Sequence, residues 1–234
     1  MFWVLVVGCW LLVVGCWKKR YQVNIKKTKN QEPMTKNAFA FVNQRETVSM
    51  KQKQLLSRPT LILVMGVAGS GKTNVARSIL ERVNAVYLDN NFIADAFFPH
   101  TRSDAEYLKI RRNLYDALYR ITEENLKLGN SVLLDVPHVA QVQDRKWQDF
   151  LKDLLARCAA RLAVIRCFCS EEELRRRLKQ RGAPRDQWKL DHWEEFLTRQ
   201  PLQVEIPFEH IELNTEAEPG YNLNRALAYL SREG

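Results

Sequence analysis

Residues 61–80 constrain this chain more than any other stretch. Leu61-Ile62-Leu63-Val64-Met65 is an unbroken apolar run, the pattern of a strand buried on both faces of a parallel sheet. It runs straight into Gly66-Val67-Ala68-Gly69-Ser70-Gly71-Lys72-Thr73, which fits G-x-x-x-x-G-K-[ST]. Val75, Ile79 and Leu80 then recur at helical spacing. A buried strand, a glycine loop and a helix in that order make the first crossover of a parallel sheet, so the chain must be α/β.

The residue types in the loop suit a cradle for phosphate groups. Backbone N–H groups close on an anion where no Cβ intervenes, and Gly66, Gly69 and Gly71 give that room. The helix opening near Gly71 offers unpaired N–H groups and the positive end of its dipole. Lys72 is placed to reach the β- and γ-phosphates of ATP, and the Thr73 hydroxyl to ligate Mg²⁺. Residues 66–73 are therefore the expected nucleotide cradle.

Beyond the loop, strand and helix patterns alternate. A short strand over 85–88 ends at Asp89, and an apolar stripe predicts a helix over 104–128 closed by Gly129. A strand over 131–135 stops at Pro137, a helix follows over 143–159, and a strand over 162–168 comes next. Ser170 caps a helix with Glu171, Glu172 and Glu173 in its first turn, broken by Gly182 and Pro184. A helix over 186–199, a strand over 211–213 and a helix over 223–232 complete the pattern. The expectation is a three-layer α/β P-loop NTPase domain with a mainly parallel sheet and a short arginine-bearing lid.

Open α/β sheets bind ligands beyond the carboxyl ends of their strands. Asp135 closes one such strand and is expected to support Mg²⁺, usually through water. Asp89 closes another, where a carboxylate can take the proton of an attacking hydroxyl; a helix N-cap is the competing role. Asp95 is a rival base, but reads as mid-helix. Arg175, Arg176, Arg177, Arg181 and Arg185 cluster on and after the capped helix, with Arg177 and Arg181 on one face. One or both of that pair are expected at the phosphates. The acceptor is to be read from 90–100, with Phe92, Phe97, Phe98, Pro99 and His100. Arg102, His138 and the face formed by Tyr107, Arg111 and Tyr115 are weaker candidates, and Trp188 and Trp193 read as packing residues.

Charge divides the chain. Residues 1–58 hold eleven Lys and Arg against two Glu, which accounts for the whole net charge of +9. Residues 59–234 balance, so the domain itself offers no argument for nucleic acid. Residues 1–17 are apolar and uncharged, ahead of Lys18-Lys19-Arg20. They read either as a short membrane anchor with its basic side in the cytosol or as a mis-assigned leader. Val4–Trp10 and Leu11–Trp17 nearly repeat each other, which favours duplication over a selected helix, with Met34 or Met50 as other starts. Residues 18–58 form a basic linker that could meet anionic lipid, and the domain takes up 59–234. The cysteines show no metal spacing, so a reducing, cytoplasmic setting is expected.

The order of P-loop, Asp89, long helix, Leu134-Asp135 and L-x-x-R-L-x-x-R-G lid resembles the small P-loop kinases over residues 59–232. These include gluconate kinases, chloramphenicol phosphotransferases, zeta-toxin-like sugar-nucleotide kinases, phage polynucleotide kinases and the bacterial predicted kinases grouped with AAA-family ATPases. The resemblance implies ATP phosphates at residues 66–73, a base at Asp89, Mg²⁺ support at Asp135, and lid arginines at Arg177 and Arg181. It implies an ATP- and Mg²⁺-dependent phosphotransferase acting on a hydroxyl of a small-molecule or nucleotide-like acceptor. The arginine-finger pattern of hexameric AAA+ motors is not visible. A polynucleotide 5′-hydroxyl kinase and a membrane-tethered nucleotide switch remain the alternatives.

Overall fold

β1 (Thr60–Met65) is buried along its whole length, and its alternating side chains feed two separate cores. The structure is a computed structural model that describes residues 53–98 and 105–232. The apolar segment 1–17, most of the basic stretch 18–58, and residues 99–104 with His100 and Arg102 lie outside the described residues. Leu61, Leu63 and Met65 pack with Leu118 and Leu126 of α3 (Ala105–Lys127) and with Leu151 and Leu154 of α4 (Arg145–Arg157). Ile62 and Val64 pack with Ala76 and Ile79 of α1 (Lys72–Leu80) and with Ala226 and Tyr229 of α8 (Pro219–Leu230). Helices thus cover both faces of the sheet, and each fully buried Leu or Ile contributes about 1.5–3 kcal/mol.

The sheet adds β2 (Val86–Asp89), β3 (Val132–Asp135), β4 (Arg161–Phe168) and β5 (His210–Asn214), in the order β2-β3-β1-β4-β5. Each of the four pairings is parallel. The chain leaves β1 towards β2 and β3 on one side and later returns to β4 on the other. This switch point puts the carboxyl end of β1 in the crevice where such sheets take ligands. In register, Val64 faces Asp135 and Asp89 faces Asp135, so both acids end at one edge beside the loop after β1.

A third cluster of Val67, Val139, Leu174, Leu178, Trp193 and Phe196 joins the loop to the helices after β4. Those helices are α5 (Glu171–Arg181), α6 (Gln187–Asp191) and α7 (Trp193–Arg199). One continuous helix was the expectation over 186–199. The structure has a 3₁₀ turn at Pro184–Asp186 and a break at His192, where φ is −123° and ψ is 55°. The break lets Trp193 and Phe196 enter the third cluster while Asp186 stays buried behind them. The last helix begins at Pro219, earlier than the apolar spacing implied, because Glu218 caps it by accepting from Gly220 N and Tyr221 N at 2.8 and 2.6 Å. Gln54 forms a parallel bridge with Val83, so the folded unit takes in residues ahead of Pro59. Among the described residues no helix is long and apolar enough to cross a membrane.

His138 is buried at a positive φ of 54°, behind the carboxyl end of β3. Trp147 Nε1 donates to the Tyr119 hydroxyl at 2.9 Å, and that hydroxyl meets His138 Nε2. The ring proton then belongs on Nδ1, facing Val136 O at 3.4 Å. Burial pushes the imidazole down to about 3, from an ordinary 6.5. Stability is therefore complete above the unfolded value and is lost as pH falls towards 3, at roughly 1.4 kcal/mol per pH unit. His138→Asn removes the titration and tolerates the left-handed backbone. Its melting temperature is expected to fall less steeply than the wild type's between pH 6.5 and 4. Parallel curves would reject the assignment.

Candidate active site

The P-loop depends on two glycines for distinct reasons. Gly66, at φ 142°, donates its N–H to Pro137 O at 3.1 Å, and a Cβ there would lie 2.3 Å from the Cys167 carbonyl oxygen. Gly71 opens α1 at φ 85°, where a Cβ would come within 2.9 Å of Thr215. Lys72 is only 8% exposed and donates from Nζ to Val67 O at 2.8 Å. Burial lowers its pKa, with Asp135 the first opposing charge. The Lys72 amine thus sits desolvated inside the loop, and among the described residues its hydrogen-bond partner is the Val67 carbonyl.

Two carboxylates stand opposite it. Thr73 Oγ1 donates to Asp135 Oδ2 at 2.7 Å, and the Tyr87 hydroxyl donates to the same oxygen at 3.1 Å. Tyr87 also lies 3.5 Å from Asp89 Oδ2. Burial, then the two carboxylates, hold the Tyr87 phenol protonated well above its usual range. Asp89 caps α2 (Asn90–Phe97), its Oδ1 accepting from Asn91 N at 2.8 Å. The capping role is thus real, and it leaves Oδ2 on the cleft side. Burial raises the Asp89 carboxyl pKa against the Asn91 bond, and Asp135 raises it further.

The lid arginines are all engaged. Arg177 donates to Thr215 Oγ1 at 2.7 Å and to Thr215 O at 2.9 Å, and Thr215 Oγ1 donates to Ser70 O at 2.9 Å. Arg181 Nε donates to Asp186 Oδ2 at 2.7 Å, and Lys189 Nζ to Oδ1 at 2.8 Å. Arg176 pairs with Glu173, Arg175 lies over the Trp193 ring, and Arg185 reaches Asp95 at 2.6 Å. Asp95, weighed as a rival base, is spent on that ion pair and does not line the cleft.

These groups border one cleft of about 1310 Å³. Lys72, Thr73, Asp89, Asp135, Arg177 and Arg181 all line it, as do Tyr107, Arg111 and Tyr115 from α3. Of residues 90–98, Asn90 and Asn91 reach the wall, while Phe92 and Phe97 are exposed away from it. Trp193 belongs to the third cluster and Trp188 packs against it, and Trp188 also lines the cleft, stacked on His192 with centroids 5.2 Å apart. Cys158, Cys167 and Cys169 are free and buried. Sequence reasoning missed Tyr87 and Thr215. Tyr87 was readable, since it shares a strand face with Asp89 two residues on. Thr215 follows a short strand and carries no signal of its own.

Fold and loop together define a P-loop α/β protein. The AAA domain family matches residues 61–202, more than half of the chain, and the chain belongs to that family. No curated protein sequence matches. Solved structures do. A sugar kinase from Janibacter sp. HTCC2649 is 19% identical, with 74% of this chain and 94% of that one covered and a TM-score of 0.54. A putative kinase from Chloroflexus aurantiacus is 17% identical over 74% and 99%, at a TM-score of 0.55. The Mycobacterium tuberculosis APS kinase, in complex with AMPPNP and APS, is 15% identical over 75% and 99%, at 0.51. At these identities the likeness is one of fold.

Proposed function

We propose that this chain is an ATP- and Mg²⁺-dependent phosphotransferase that moves the γ-phosphate to a hydroxyl of a small-molecule or nucleotide-like acceptor. One observation carries the reading: Asp89 stands beside Asp135 and across from Lys72, in a cleft larger than one ligand needs. Pockets for single drug-sized ligands run to about 300–1,000 Å³. A carboxylate in that place can take a proton from a water as well as from an alcohol, so it is the room beside it for a second ligand that favours transfer over hydrolysis.

The Thr73 hydroxyl and the Asp135 carboxylate are hard oxygen donors already in contact, and they suit an ion held by few protein ligands. They would hold Mg²⁺, which when bound supplies charge neutralisation at the phosphates. Lys72 then draws negative charge towards the loop, and Asp89 accepts the proton of the attacking hydroxyl. Arg177 is the better placed lid arginine, since Thr215 ties it to the loop. The reaction belongs on the cytoplasmic side, with any membrane contact confined to residues 1–58. No nucleic acid is proposed as acceptor.

Purified protein incubated with labelled ATP, Mg²⁺ and a metabolite extract tests this by mass spectrometry. A phosphorylated product matched by ADP supports transfer. ADP and inorganic phosphate alone would make the chain an ATPase and overturn the proposal.

A further inference from the structure

Asp186 is a buried carboxylate that no step of the reaction yet uses. It is 1% exposed and closes the 3₁₀ turn Pro184–Asp186, where its N–H donates to Ala183 O at 2.8 Å, just past the end of α5. A buried carboxylate needs partners of opposite charge, and this one has two. Its Oδ2 takes Arg181 through Nε at 2.7 Å and Nη2 at 2.5 Å, and its Oδ1 takes Lys189 Nζ at 2.8 Å. Lys189 Nζ also donates to Arg185 O at 2.8 Å. The carboxylate therefore cannot turn away from Arg181 without breaking a second pair.

The grip on Arg181 is one-sided. Nε and Nη2 share one oxygen, and among the described residues Nη1 has no hydrogen-bond partner. Arg177 is the opposite case, with Nε on Glu173, Nη1 on Thr215 Oγ1 and Nη2 on Thr215 O. Arg181 lines the cleft with its side chain 40% exposed. Burial lowers the Lys72 pKa most, and Arg181 is a cation close enough to lower it further. A loop cation and a lid cation thus border the same stretch of cleft, where the phosphates would lie.

An arginine that swings freely must give up rotamer freedom each time it meets a transferring phosphate. One already held along an edge does not, and misplacing such a group by about 1 Å can cost roughly 10²-fold in rate. We infer that Asp186 is a positioning residue: it holds Arg181 with its unpaired edge towards the transferring phosphate, and Lys189 fixes the carboxylate that does so. This rests on the kinase reading above and adds how the lid cation is aimed.

Calorimetric titration with ADP and Mg²⁺, with and without aluminium fluoride, tests the inference. ADP with the fluoride mimics the phosphate during transfer and needs no acceptor. The wild type should bind ADP more tightly when the fluoride is present, and Arg181→Gln should remove most of that gain. Asp186→Asn should weaken the fluoride complex by roughly 10²-fold while ADP alone stays within about threefold. Added to Arg181→Gln, it should change the fluoride complex by less than about twofold, because the carboxylate acts only through that arginine. Asp186→Asn leaves two cations on a neutral amide. If a thermal melt shows it unfolded, Asp186→Asn/Lys189→Met replaces it, losing one charge of each sign. Failure of both to fold would make the pair structural and overturn the inference. So would an equal loss for ADP alone, a fluoride gain that survives either Arg181→Gln or Asp186→Asn, or effects of the two that simply multiply. Each of these leaves the kinase reading standing. A wild type that binds no nucleotide, or gains nothing from the fluoride, overturns both.

Discussion

Lys72→Met is expected to leave a folded protein that no longer turns over ATP, with kcat/KM for transfer down at least ~10²–10³-fold, the scale for removing one preorganised electrostatic contact. The side chain is 8% exposed and ends on Val67 O, so its ammonium is held ready where the phosphates must lie. That readiness works against stability. Burial lowers the Lys72 pKa, so folding works against the charged form. Methionine fills similar volume without that charge, and the melting temperature should stay level or rise. Calorimetric titration with AMPPNP and a thermal scan read the two effects separately. Undiminished nucleotide affinity would remove the P-loop from the mechanism, and with it the whole functional reading.

Elements whose residues answer to local rules were legible in the sequence. β1, the loop and α1 are one continuous signal, because burial on both faces, the need for positive φ and helical spacing each leave a distinct mark. Asp135 was legible for the same reason: it ends an apolar strand that the parallel sheet places beside β1. The lid was only half legible. Ser170 and Gly182 mark the ends of α5, but nothing local says that Arg181 turns to Asp186 while Arg177 turns to Thr215. Both choices depend on a buried acid and a distant loop that come together only in the fold.

Asp89→Asn is expected to cut phosphoryl transfer at least ~10²-fold, the usual share of a general base, while nucleotide affinity holds. Asparagine is the right probe because it keeps the cap. It accepts from Asn91 N as Asp89 does at 2.8 Å, so α2 still starts where it should, whereas alanine would also cost about 1 kcal/mol of capping. The pH profile separates chemistry from structure. Burial, with Asp135 behind it, raises the Asp89 carboxyl pKa, and only the ionised form can take a proton. Wild-type transfer should therefore rise with pH through a midpoint above the ordinary 3.8 of an aspartate and then level off. The asparagine variant should lack that limb. Stability runs the opposite way. A carboxyl whose folded pKa is raised stabilises the fold below its unfolded pKa, and that contribution is lost as pH rises through the folded value. The neutral amide should consequently melt no lower than wild type at pH 7. Transfer within a few-fold of wild type would leave Asp89 a cap and nothing more, and the base would have to be sought elsewhere along the cleft wall.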